Sequence, residues 1–158
     1  MKLFGLLFLL LGALSLSREY SGYTKKRLAE CEEFIAFIKH MRLSLKCFLK
    51  PPREIARTFQ GDAIKPFLDM LEKEENMALA FEASKPCFSL SPEEEKVLTE
   101  LFSSIGSCYA EDGVHLLEAA DEKLTAIYTE LYDRYPVSSR VFATVSAAVS
   151  VGLFILLI

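Results

Sequence analysis

From Arg140 onward the chain carries no charge, and Val141 to Ile158 is a run of 18 uncharged residues. As a helix that run is about 27 Å long at 1.5 Å per residue, close to the roughly 30 Å of bilayer hydrocarbon. An amphipathic stretch leads into it. Leu117, Ala120, Leu124, Ile127 and Leu131 recur at alternating spacings of three and four, which places them in one seam of a helix. Arg134 and Arg140 bracket Tyr135 to Ser139 between seam and run. A seam suited to packing in water therefore passes almost directly into a segment suited to lipid, and this confines the chain to a membrane surface.

The other end repeats the theme. After Lys2, residues Leu3 to Ser17 are 15 uncharged positions, about 23 Å as a helix. Two readings compete there. A cleaved signal peptide has a basic start, a short apolar run and small residues at the cut, and Ser15-Leu16-Ser17 fits that cut. A retained span is short but workable if Lys2 reaches back to the headgroups. The retained form divides the chain into an N-terminal transmembrane helix (1–17), a cytoplasmic helical domain (18–140) and a C-terminal transmembrane helix (141–158).

Charge decides which side the middle lies on. Arg18, Lys25, Lys26 and Arg27 follow the first apolar run, and Arg134 and Arg140 precede the second. Bases flank both runs on the side of the middle segment, which predicts that this segment is cytoplasmic. The middle holds all 22 acids and 17 of the 18 bases, a net of −5. That balance disfavours nucleic acid, which selects a basic face, and leaves protein partners. The four cysteines, Cys31, Cys47, Cys87 and Cys108, form no C-x-x-C pair. Cys31 and Cys47 stand about 24 Å apart along one helix, too far to bridge. Buried reduced thiols suit them, in keeping with a cytoplasmic location.

Apolar periodicity predicts an all-α chain. Leu28, Cys31, Ile35, Ile38, Leu45 and Leu49 stripe one long helix over Tyr20–Leu49, widened by Phe34, Phe37, Met41 and Phe48. Arg42 interrupts that stripe and calls for a carboxylate partner or a stem laid along apolar surface. Pro51-Pro52 ends the helix. Short helices follow over Arg53–Gln60, after a capping Asp62, and over Asn76–Ala83, with Lys85 to Phe88 as a loop. Ser91-Pro92-Glu93-Glu94 is the clearest start signal. Serine caps, proline occupies the first turn, and Glu94 closes a capping box. That helix carries Val97, Leu98, Leu101, Phe102, Ile105 and Tyr109 inward, and Ser107–Gly113 reads as a turn before the seam helix. Both long helices adjoin the apolar ends, so they are expected to run antiparallel, with the shorter helices crossing them.

Signatures of chemistry are missing. There is no phosphate-loop motif, no Gly-x-Ser-x-Gly elbow and no His-Glu-x-x-His, and His40 and His115 stand in no metal-ligand spacing. The pattern implies no enzyme, no cofactor, no metal and no small-molecule substrate. Glu93, Glu94 and Glu95 suit either a solvated helix start or an acidic docking patch. Lys25, Lys26 and Arg27 suit anionic lipid, at about 1 kcal/mol per base, or a protein contact. Ala13 and Ser17 in the first run, and Ala148 and Gly152 in the second with Ala143 and Ala147 above, have the spacing that lets membrane helices approach closely.

The order of these features resembles one family, the stage III sporulation protein AB family of endospore-forming bacteria. Five features carry the resemblance: the short N-terminal span, Pro51-Pro52-Arg53-Glu54-Ile55-Ala56 after the long helix, Leu90-Ser91-Pro92-Glu93-Glu94, Ile105-Gly106-Ser107, and the amphipathic helix entering a C-terminal span. Their order and spacing are specific where no single motif is. One departure stands out. Where relatives have a Leu-Gly-x-Ser-Asp-like turn and an acidic, glutamine-bearing segment, this chain reads Ile105-Gly106-Ser107-Cys108-Tyr109-Ala110-Glu111-Asp112. The resemblance implies an antiparallel helical bundle like the F-type cytoplasmic domain of type II secretion and type IV pilus platform proteins. It implies a non-enzymatic platform in the mother-cell membrane, docking a secretion-type ATPase and other membrane subunits of a mother cell–forespore channel. Pro51, Pro52, Glu54 and Gly106 join Glu93, Glu94 and Glu95 as its expected interaction positions. The competing class is a secreted, tail-anchored structural protein with a cleaved leader.

Overall fold

The computed structural model describes the backbone of residues 2–48, 52–105 and 110–156, with side chains mainly over 19–46, 54–105 and 112–135. Among the described residues the regular elements are all helical. They are α1 (Lys2–Phe48), α2 (Pro52–Ala56), α3 (Lys65–Lys73), α4 (Met77–Ser84), a 3-10 turn (Lys85–Cys87), α5 (Pro92–Ile105) and α6 (Ala110–Leu156). Contacts divide the chain into two compact parts, a body Lys26–Thr129 and a second part made of Met1–Lys25 with Glu130–Ile158.

The body is organised around phenylalanine. Phe34 and Phe37 of α1, Phe67 of α3, Phe81 of α4 and Phe102 of α5 are all fully buried. Phe67 and Phe102 stack at 4.8 Å, and Phe34 meets Phe81 edge-on at 5.9 Å. Tilted and edge-on pairs at these separations add to the plain burial of apolar area. The seam of α6 closes the core with Leu117, Ala120 and Leu124, while Ile127 and Leu131 are half-buried. On the α1 side Cys31, Ile35, Ile38, Met41 and Leu45 supply the matching stripe.

Within the body α1 and α6 run in opposite directions, because their contacts count in opposite senses. Lys46 Nζ donates to Glu118 at 3.0 Å, Arg42 pairs with Asp121 at 3.5 Å, and Cys31 Sγ lies 4.0 Å from the Leu124 carbonyl. Arg42 thus has its carboxylate, and Lys39 also reaches Asp121, at 3.7 Å. In the second part the Ser21 hydroxyl and the Tyr135 hydroxyl share a hydrogen bond of 2.8 Å.

Several sequence expectations shift. α2 stops at Ala56 rather than Gln60, because Thr58 and Phe59 close turns on the Ile55 and Ala56 carbonyls. Residues 85–87 form a 3-10 turn rather than an irregular loop, with the Phe88 N–H donating to the Lys85 carbonyl. α4 starts one residue later than expected because Asn76 is its cap, accepting from the Ala78 N–H at 2.8 Å. Asp112-Gly113 is no turn, since α6 begins at Ala110 and runs through it. Gly113 is buried inside that helix, and a Cβ there would meet Leu45 Cδ1 at 3.9 Å, an ordinary contact. Of the cysteines, Cys31 is buried and its thiol is pushed up to about 12, first by burial and then by the Glu94 carboxylate. Cys87 is exposed, which corrects the expectation of burial for that residue. Cys47 and Cys108 lie outside the described side chains.

Among the described residues no helix is long and apolar enough to cross a membrane. Most side chains of the two expected spans, 1–17 and 141–158, lie outside them.

Because a glycine inside a helix is less favourable than alanine by about 1 kcal/mol, and because the space exists, Gly113→Ala is expected to stabilise the body by roughly 0.5–1 kcal/mol. Urea denaturation of the full chain in detergent measures this. A loss of stability would contradict the helical placement of Gly113.

Candidate functional site

The described body has no cluster of His, Cys, Asp and Glu arranged to hold a metal ion. What it has is a polar seam along one side of α1, and this seam determines which of the expected interaction residues face outward.

Glu94 is the centre of it. The Ser91 N–H donates to Glu94 Oε2 at 2.6 Å and the Glu94 N–H reaches Ser91 Oγ at 3.4 Å, so the capping box forms as its residues require. The same carboxylate receives Arg27. Arg27 Nε donates to Oε2 at 2.9 Å and Nη2 donates to Oε1 at 3.1 Å, a two-pronged pair. Glu94 is fully buried. It is therefore no part of an acidic surface, which corrects its assignment to a docking patch. Arg27 is turned to α5 rather than to lipid for the same reason. Glu93 is exposed and Glu95 half-buried, and these two are what the start of α5 shows outward.

One turn along α1 the pattern repeats. Glu30 is buried, and its Oε2 accepts from the Ser89 N–H at 2.7 Å. Its Oε1 has no hydrogen bond, and Lys26 lies 3.5 Å from it. Lys26 Nζ also donates to the Cys87 carbonyl at 3.1 Å. Residues 87–91 are thus stapled to α1 by Lys26 and Glu30, and to α5 by Glu94. Burial raises the Glu30 carboxyl above its ordinary value, against the lowering pull of the Ser89 bond and Lys26.

A further turn on, Glu33 takes the backbone N–H groups of Asp62, Ala63 and Ile64 at 3.2, 2.8 and 3.1 Å. It does the work expected of Asp62: Ile64 is the N-cap residue of α3 and offers no side-chain cap. Gly61 leaves room for it: a Cβ there would come within 2.6 Å of Glu33 Oε2 and would push that carboxylate aside. On α6, Lys46 draws the Glu118 carboxyl below its ordinary value.

The remaining sequence candidates do not gather here. Glu54 is exposed at the end of the body where α2 meets α3. Pro52 opens α2, and its side chain, with Pro51, Gly106, Ala13 and Ser17, lies outside the described residues. Ala148 is exposed and a Cβ at Gly152 would meet nothing within 4 Å. The residues that sequence reasoning missed are Glu30 and Glu33. Their signal was the i, i+3 and i+4 spacing of Lys26, Arg27, Glu30 and Glu33 along one side of α1.

Because the Glu30 carboxyl is raised in the folded body, its ionised form costs stability. The contribution is most favourable below its ordinary value of 4.5 and is lost as pH rises through the folded value. Glu30→Gln is therefore expected to be more stable than the parent near pH 7, with the gap closing as pH falls toward 4.5. Denaturation midpoints across that range measure it. A gap that does not change with pH would contradict the burial of an ionisable Glu30.

The sequence model of one protein family, stage III sporulation protein AB, matches residues 2–158. No curated protein and no solved structure matches the chain. A match over essentially every residue makes the chain a member of the stage III sporulation protein AB family, and membership implies a role in sporulation.

Proposed function

We propose that this member of the stage III sporulation protein AB family is a non-enzymatic membrane platform of a secretion-like complex. Its two apolar ends are membrane spans, in the mother-cell membrane, and its body is a cytoplasmic antiparallel helical bundle of the secretion F-domain type. The bundle docks a secretion-type ATPase, which supplies the energy, and passes its motion to a mother cell–forespore channel. The observation that carries this reading is the family match through residues 2–158, which takes in both apolar ends together with the acidic body.

Physical features of the body support it. Its buried charges are engaged internally: Glu94 with Arg27, Glu30 with Ser89 and Asp121 with Arg42. Such groups position helices. Two anchors would hold the body in the membrane plane and raise its effective concentration toward other membrane subunits. Glu93 and Glu95 project from the first turn of α5, whose N-terminus is locked by Arg27, so a basic face on a motor would meet charges on a rigid mount.

Reversing Glu93 and Glu95 together to lysine, with Glu94 kept, is expected to reduce recovery of the ATPase in a pull-down from detergent-solubilised membranes by several-fold, with no loss of folding. Unchanged recovery would remove this corner of α5 from the docking surface.

A further inference from the structure

The second part, Met1–Lys25 with Glu130–Ile158, is joined across its two helices by the 2.8 Å hydrogen bond between the Ser21 and Tyr135 hydroxyls. Ser21 lies near the end of the first segment and Tyr135 near the start of the second, so within this part the two segments run back along each other. Four residues from that bond toward the apolar ends, Ser17 comes level with Ser139. The charge-free run from Leu3 ends at Ser17, and the run from Val141 begins two residues from Ser139. One hydrogen bond thus brings the ends of both runs to a common plane. On the apolar side of that plane, Val145 and Val149 of α6 are exposed. Val149 is ten residues from Ser139. As helix that is about 15 Å, half of the roughly 30 Å of bilayer hydrocarbon. Apolar side chains left open at that depth suit lipid better than water.

Tyrosines stand on the other side of the plane. By helix rise, Tyr135 is about 6 Å from it and Tyr23 about 9 Å. The headgroup layer is about 5–7 Å thick on each face of a bilayer. Cα–Cβ bonds tilt toward the N-terminus of a helix, which for Tyr23 carries the side chain back toward that layer. Tyr23 is 54% exposed and Tyr135 is half-buried. A tyrosine joins an apolar ring to a hydroxyl, the combination that sits at headgroup level in membrane proteins. Charges at these heights have no single sign: Arg134 pairs with Glu130, and Lys25 and Asp133 are both exposed. That balance suits zwitterionic lipid. We propose that Tyr23 and Tyr135, clasped through Ser21, form a seat for zwitterionic phospholipid headgroups at the level where the two helices leave the bilayer. The exposed Tyr132, about 10.5 Å from the plane, marks its outer edge. The proposal rests on the reading of both ends as membrane spans. It adds to that reading the level at which they emerge and the residues that meet the lipid surface.

The chain contains no tryptophan, so a single introduced one reports its own depth. The test reconstitutes the full chain into phosphatidylcholine vesicles whose lipids carry bromine, a contact quencher, either near the top of the acyl chain or near its middle. Three variants are compared: Tyr23→Trp, Gly22→Trp and Val149→Trp. A Cβ at Gly22 would meet nothing within 4 Å, so that position takes a reporter while Tyr23 stays in place. Circular dichroism verifies that each variant is folded. Tyr23→Trp and Gly22→Trp are expected to be quenched about twofold more by the shallow bromine than by the deep one, and Val149→Trp about twofold more by the deep one. A shallow preference missing from either Tyr23→Trp or Gly22→Trp would overturn the headgroup seat. If Val149→Trp still prefers the deep bromine in that case, the spans stand without the seat. If it does not, the span reading fails and the seat fails with it.

Discussion

The structure depends on a buried carboxylate, that of Glu94, held by the half-buried guanidinium of Arg27. Arg27 leaves α1 and grips the carboxylate of Glu94, which at the same time closes the cap of α5. A buried ion pair is weak evidence of stability by itself, since desolvation offsets much of the attraction. Its consequence is positional. Glu94 has a fixed partner on each side, so the start of α5 can sit at one place along α1 and at one rotation. Glu30 and Lys26 extend the clamp to residues 87–89, and Glu33 does the same for the start of α3. Four charged residues over two turns of one helix thus define where three later segments begin. The phenylalanine core fills the space behind them, and apolar packing, which has little direction of its own, acquires one from the polar seam.

This arrangement bears on function through what it withholds. The charged groups of greatest chemical interest, Glu30, Glu94 and Arg27, are used to hold helices, and the thiol of Cys31 is buried against the α6 backbone. The surface of the body carries other carboxylates and amines, among them Glu93, Glu100 and Lys123. The inner charges therefore set geometry, and the platform role proposed above rests on the charges left on the helix surfaces. Membership of the stage III sporulation protein AB family implies a role in sporulation.

Much of this could be read in the chain. The stripe of α1, the seam of α6 and the box Ser91-Pro92-Glu93-Glu94 are local patterns whose physics lies within a few residues, and the body contains all three. What could not be read was every choice made between distant segments. Asp62 and Glu33 are equally good caps in composition, and the choice between them depends on α1 passing beside residues 62–64. Glu94 is legible as the residue that closes the capping box, but not as a buried one, because its second partner lies 67 positions away. Gly113 looked like a turn because an Asp-Gly pair favours one locally. Packing of α6 against Leu45 at that level overrides the local preference. The outward face of α5 was therefore legible in part: Glu93 and Glu95 stand where an acidic patch was expected, and Glu94 does not.

The measurement closest to the centre of the account is a double-mutant cycle on Arg27 and Glu94 in the full chain, using Arg27→Met and Glu94→Gln. If the pair positions α5 as described, Arg27→Met leaves the buried Glu94 carboxylate without its partner, and the cycle should return a coupling of about 2 kcal/mol or more. A coupling within about 0.5 kcal/mol, the scatter of independent sites, would mean that α5 is held by its apolar face alone and would contradict the account.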